Sequence, residues 1–289
     1  MIYLFISILA SVSVSVLLKV ARRRDMVIEQ MVALNYVVAA TLTVVFLQPD
    51  LGNLAALSAH GWLFVALGVL LPSVFVIMGK AVEHSGIVKS DAAQRLSLFL
   101  PVLAAFTVFG ETPAANSIVG VLLAFAALCC LLYKHGAAQT AADSRSVLLL
   151  LGVWAGYGVI DILFKQLSKQ KAAFSGSLLV AFVLAGVLIF AWLWHKKTLW
   201  RKNSFAGGLL LGCLNFVNIL FYIKAHQAFK DNPTLVFAGM NMGVIVLGTL
   251  TGALLFGERI SKTNALGIAL ALAAIVCLYF WQGVSALLM

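Results

Sequence analysis

The feature that most constrains this chain is a succession of ten apolar runs separated by short polar links, at about 2–18, 27–47, 62–82, 92–109, 114–133, 146–167, 174–194, 206–228, 233–255 and 264–281. Each has about the length a helix needs to cross a bilayer. In hydrocarbon a backbone must satisfy its own hydrogen bonds, so runs of this length predict helices. The longest link, about 134–145, is far too short for a separate aqueous domain. Only 10% of the 289 residues are charged and 63% are apolar, whereas roughly a quarter of a soluble domain is charged. The expected fold is therefore an all-α membrane protein with ten transmembrane helices. The first run reads as a retained span, because Lys19, Arg22, Arg23 and Arg24 follow it. A cleavable signal peptide carries its basic residues in front. The four cysteines fall inside apolar runs, without the spacing of a metal site or a redox pair.

A net charge of +10 would suit nucleic acid if it formed a patch. It does not. Fifteen of the 20 Lys and Arg residues fall in odd-numbered links, and only Lys165, Lys169, Lys171, Lys224 and Lys230 fall in even-numbered ones. The positive-inside rule then places the odd links in the cytoplasm and both termini outside. The charge excess reports orientation, so no nucleic-acid partner is expected, and the chain reads as a multi-pass protein of a bacterial inner membrane.

An internal repeat is legible. The segment from Gly110 aligns without gaps on the segment from Gly257, matching Glu111 with Glu258, Gly120 with Gly267, Leu123 with Leu270, Ala124 with Ala271 and Cys130 with Cys277. Lys19, ending the first run, aligns with Lys165 near the end of the sixth. The expectation is two five-helix halves, 1–135 and 145–289. Five is odd, so the second half enters the membrane inverted, the architecture of many secondary transporters.

The ten-run pattern, the repeat and the Gly-Glu pairs at Gly110–Glu111 and Gly257–Glu258 resemble the EamA type of the drug/metabolite transporter superfamily. The resemblance covers the whole chain and is strongest over 92–133 and 233–280. It implies a ten-span transporter of amino acids, sugars, nucleotide-sugars, phosphorylated metabolites or drugs, often an exporter or exchanger. It also implies cytoplasmic termini, where the charge bias implies external ones. The second run carries Asn35 where family members commonly have an Arg.

Polar groups at membrane depth are costly and need a partner, a wet cavity or a function. In the first run Ser7, Ser11, Ser15 and Lys19 share one helix face, either lining a path or packing closely with a snorkelling lysine. In the sixth, Tyr157, Asp161 and Lys165 share a face. There Asp161 reads as a protonatable coupling site beside Lys165, or the pair as an interfacial cap. In the fourth, Asp91 and Arg95 make an i, i+4 pair, either solvated or on a cavity-lining helix, and Gln94 aligns with Asn241 of the GMNMG segment. In the eighth, Asn215, Asn218, Tyr222 and His226 form one polar stripe that should face inward. Glu111 and Glu258 read as helix-end residues. Gly208/Gly212, Gly239/Gly243 and Gly248/Gly252 read as close-packing pairs, and Asn232–Pro233 as a helix start.

No nucleotide-binding loop, nucleophile elbow, zinc-protease motif or paired-carboxylate arrangement occurs. The chain is thus read as no enzyme, without cofactor or metal. It is expected to be a secondary transporter of a small polar metabolite such as an amino acid. Asn35, Gln94, Arg95, Tyr157, Asn218, Tyr222 and Asn241 would line the path, and Asp161, Lys165 and Lys19 would serve coupling or gating. The expected partners are the solute, membrane lipid and, as an option, a second copy of the chain. A lipid-carrier flippase and a membrane scaffold or subunit without transport are the alternatives.

Overall fold

The computed structural model describes residues 1–49, 61–85, 87–110, 115–132, 144–169, 174–256 and 262–287. Among them are eleven α-helices: α1 (Ile2–Arg23), α2 (Ile28–Leu47), α3 (Gly61–Ser85), α4 (Ile87–Leu96), α5 (Phe99–Thr107), α6 (Ala115–Leu132), α7 (Ser144–Ser168), α8 (Phe174–His195), α9 (Lys202–Ala228), α10 (Pro233–Phe256) and α11 (Lys262–Leu287). No strand occurs among the described residues. Among the described residues, six segments are long and apolar enough to cross a membrane: Ile28–Leu47, Gly61–Ala81, Ser144–Ser168, Ser175–His195, Lys202–Ala228 and Pro233–Leu255.

The run expected as one helix over 92–109 is divided. A turn at Ser97–Leu98 separates α4 from α5. The Ser97 hydroxyl donates to the Gln94 carbonyl at 2.6 Å, ending α4. Restarting at Phe99 puts Pro101 in the first turn of α5, where a missing N–H costs nothing. Pro72, by contrast, lies inside α3.

The chain divides into two compact units. The first comprises Met1–Val76 and Leu163–Gln227. In it α2 runs along α8, and the rings of Tyr36 and Phe182 lie 6.4 Å apart. Helix α9 meets α2 through its glycines. A Cβ on Gly212 would lie 2.5 Å from Val38 Cβ and 3.1 Å from the Asn35 carbonyl, and one on Gly208 would lie 2.7 Å from Leu34 Cβ. These positions accept no side chain, as the Gly208/Gly212 spacing predicts. Gly68 of α3 meets Leu184 of α8 in the same way, at 2.7 Å.

The turns of this unit are clamped by polar contacts. The buried Gln30 donates from Nε2 to the Leu199 carbonyl at 2.7 Å and accepts the Arg201 N–H at 3.1 Å. The Ser204 hydroxyl oxygen accepts the Val27 N–H at 3.0 Å. The Arg201 guanidinium pairs with the Asp25 carboxylate at 2.7 Å. The α1–α2 and α8–α9 connections thereby hold one another.

The second unit comprises Ile77–Ile162 and Ala228–Met289. Helix α6 packs along α11, and α10 packs on α5, α6 and α11. Gly158 of α7 sits against Leu100, where an added Cβ would be 2.6 Å from Leu100 Cδ1. The Trp154 indole donates to the Leu96 carbonyl at 3.1 Å, tying α7 to the end of α4. Asn232 caps α10 by accepting the Leu235 N–H at 3.1 Å, with Pro233 as the first helical residue. Among the described residues an added Cβ on Gly248 meets nothing within 4 Å, so the close packing expected of the Gly248/Gly252 pair is not made at Gly248.

Candidate functional site

The polar stripe of α9 faces inward within the first unit, and each member finds a different neighbour. Asn215 Nδ2 donates to Asn35 Oδ1 on α2 at 3.0 Å. The Ser7 hydroxyl of α1 donates to Asn218, with its oxygen 2.8 Å from Oδ1 and 3.0 Å from the backbone carbonyl. The buried Tyr222 ring stands edge-on to Phe164 of α7 at 6.3 Å and to His226 at 4.8 Å. One face of one helix thus carries amide, amide, phenol and imidazole against α1, α2 and α7.

Lys165 closes this line. It is 1% exposed, among the largest buried side chains of the described residues, and its Nζ lies 3.4 Å from the His226 carbonyl, to which it donates. The Ser168 hydroxyl donates to the Lys165 carbonyl at 2.6 Å, fixing the end of α7. An amine excluded from water demands compensating polar groups, and the His226 carbonyl supplies one.

Asn35, Asn218, Tyr222 and Lys165 are therefore brought together in the first unit, with Ser7, Asn215 and His226 added. Of the remaining candidates, all but Lys19 belong to the second unit. Tyr157 and Asp161 are half-buried on α7, and Gln94 and Arg95 are half-buried at the end of α4. Asn241, half-buried on α10, donates to the Phe237 carbonyl of its own helix at 3.0 Å. Lys19 and Asp91 lie on α1 and α4, but their side chains fall outside the described residues, as do Glu111, Glu258 and most of the 134–145 link. Ser15, expected on the same polar face as Ser7, is exposed and donates back to the Ser11 carbonyl at 3.2 Å. Only the start of the serine stripe faces inward.

The amide pair supports a quantitative prediction. In a double-mutant cycle, Asn35→Ala and Asn215→Ala should show a coupling of about 0.6 kcal/mol, with about 1.7 kcal/mol as an upper bound for such bonds in membrane helices. Thermal or denaturant unfolding in detergent measures it, and strict additivity would deny the bond.

No family model matches the chain. A solved structure described as "Crystal structure of protein" shares its fold, with a TM-score of 0.74 over 97% of this chain and 96% of that one at 15% identity. A Haemophilus influenzae protein (strain ATCC 51907 / DSM 11121 / KW20 / Rd), described as an uncharacterized protein, is 56% identical over 288 residues, covering 98% of this chain and 99% of that one. At that identity over nearly the full length of both, the chain belongs to the family of this Haemophilus influenzae protein.

Proposed function

We propose that the protein is a secondary transporter of the drug/metabolite transporter type, with ten membrane-spanning helices in two inverted repeats, 1–135 and 145–289. In this reading it carries a small polar metabolite, such as an amino acid, across a bacterial inner membrane by alternating access.

The observation that carries this reading is a pair of equivalent contacts. Tyr36 and Phe182 stand 146 residues apart, the offset that aligns Lys19 with Lys165, and their rings meet. Val38 and Leu184 share that offset, and Gly68 and Gly212 stand 144 apart. Exchanging the halves therefore turns the Gly68–Leu184 contact into the Gly212–Val38 contact. The pairings of α2 with α8, α5 with α10 and α6 with α11 likewise join each span to the one five later. Two halves meeting through equivalent surfaces is the arrangement of a repeat transporter.

The span count draws support from four shorter apolar segments, Ile2–Leu18, Ala93–Thr107 (divided at Ser97–Leu98), Ile118–Cys130 and Lys262–Cys277. They fall where the remaining four spans are expected. Lys165, Tyr222 and the Asn–Ser contacts supply polar groups of the kind a hydrated solute path needs.

The test is a broad metabolite screen of deletion against overexpression strains, followed by flux in membrane vesicles. A solute whose level shifts in opposite directions in the two strains, and whose flux Asp161→Asn alters, is the expected result. The reading fails if no small solute moves and Asp161→Asn changes nothing.

A further inference from the structure

We propose that the α8–α9 turn binds the headgroup of an anionic phospholipid. The turn joins two of the helices long enough to cross a membrane, so in that reading it lies at the membrane–water boundary. It carries a groove of about 500 Å³ lined by Phe190, Trp194, Lys197, Thr198 and Trp200.

The groove is built from aromatic surfaces. Trp200 stacks on Phe190 with ring centroids 5.8 Å apart and lies 5.6 Å from the Phe205 ring. Trp194 and Leu199 are 87% and 88% exposed. Side chains of this size left open at a helix end match the zone where acyl chains meet headgroups. Exposed apolar surface accounts for a lipid, and charge says which kind. Lys196, Lys197, Arg201 and Lys202 fall within seven residues of sequence at this turn. Arg201 is committed to Asp25 at 2.7 Å, and Lys196 lies over the Trp192 ring at 4.0 Å. Lys197 is the basic residue that lines the groove itself. Its backbone takes a positive φ of 50°, and its N–H bonds the Trp194 carbonyl at 2.9 Å. A non-glycine residue rarely adopts that conformation. The Gln30 clamp holds the adjoining strand of the turn through Leu199 and Arg201. A lysine on a fixed backbone, a hydroxyl at Thr198 and a wall of aromatic rings together suit a phosphodiester with its acyl chains.

The inference rests on the membrane reading and not on which solute the protein moves. Native mass spectrometry of the full chain, released from nanodiscs of phosphatidylglycerol or phosphatidylcholine, provides the test. Wild-type protein should retain phosphatidylglycerol about fivefold more than phosphatidylcholine, which is what one basic residue near an anionic surface contributes. Lys197→Gln should remove that preference, and Trp194→Ala should lower retention of both lipids while keeping their ratio. Lys197→Gly serves where Gln disturbs the turn, because glycine accepts the positive φ. Lys230→Gln, at an exposed lysine of the second unit, should change nothing. Equal retention of the two lipids overturns the proposal, as does a preference unchanged in both Lys197 variants. So does displacement of the lipid by inorganic phosphate, or an equal loss in Lys230→Gln. Incorporation followed by retention of neither lipid also overturns it, whereas failure of the chain to enter nanodiscs would sink the membrane reading itself.

Discussion

In the transporter proposed above, a Lys165→Met variant should accumulate in the membrane as the wild type does, unfold within about 1 kcal/mol of it, and move solute at least roughly tenfold more slowly. The argument starts from burial. Lys165 is 1% exposed at the end of a long apolar helix, and its amine donates to the carbonyl of His226, whose ring meets that of Tyr222. A hydrophobe of similar volume in place of a buried ion is often neutral or stabilising, because desolvation of the charge is no longer required. Methionine is unbranched and fills the same channel. In the proposed transporter, the amine of Lys165 then serves the solute path and not the fold. Lys165→Arg should fail to restore transport, since the wider planar guanidinium has no room in a fully buried site. Flux of the solute found by the metabolite screen, set beside thermal unfolding in detergent, separates the two effects. Normal flux in Lys165→Met would assign the lysine to the fold, and so would a large loss of stability with flux per folded molecule unchanged.

The positions of the helices were legible because hydrocarbon leaves the backbone few alternatives, so apolar length alone locates them. The Gly208/Gly212 contact and the Asn232–Pro233 cap were legible for local reasons, one from spacing and one from the residue types a helix start requires. The stripe on α9 showed which face turns inward, but its partners were hidden. That Asn215 meets Asn35 and Asn218 meets Ser7 depends on which helices are neighbours, which no local pattern encodes. Gly248/Gly252 shows the converse: the same four-residue spacing as Gly208/Gly212, with no described residue within 4 Å of a Cβ on Gly248. Spacing permits an approach, and the neighbour decides whether it happens. The break at Ser97–Leu98 escaped because serine and leucine are ordinary helix residues, and only the position of Pro101 hinted at it. The groove at the α8–α9 turn was less visible still. Its geometry needs Lys197 at positive φ, and the segment HKKTLW contains no glycine or asparagine to signal a turn. Trp194 and Trp200 stand near span ends, as an aromatic belt does, but only the structure brings Phe190 and Trp200 into one wall.

Gly212→Ala and Gly68→Ala should each destabilise the protein by about 1–3 kcal/mol, while Gly248→Ala should be neutral or slightly stabilising. The three changes are chemically identical, and all three glycines lie within helices of the apolar core spans. What differs is the surface opposite. The new methyl on Gly212 would stand 2.5 Å from Val38 Cβ and 3.1 Å from a backbone carbonyl, neither of which can swing aside. On Gly68 it would stand 2.8 Å from Leu184 Cβ, again close to the main chain. Each helix pair must therefore separate, and separation loses the van der Waals contact that drives association in a membrane. At Gly212 it also stretches the neighbouring Asn35–Asn215 bond, so that variant should be the worse of the two. At Gly248 the methyl meets no described residue, and only the helix propensity gained over glycine remains. The comparison also bears on the repeat. If the two contacts are images of one another, the first two variants should share not only a sign but an epistasis pattern: Leu184→Ala should relieve Gly68→Ala as Val38→Ala relieves Gly212→Ala. Unfolding midpoints in detergent for the singles and the two rescue pairs decide it. Rescue at one site and not at the other would mean that the contacts are alike in distance only.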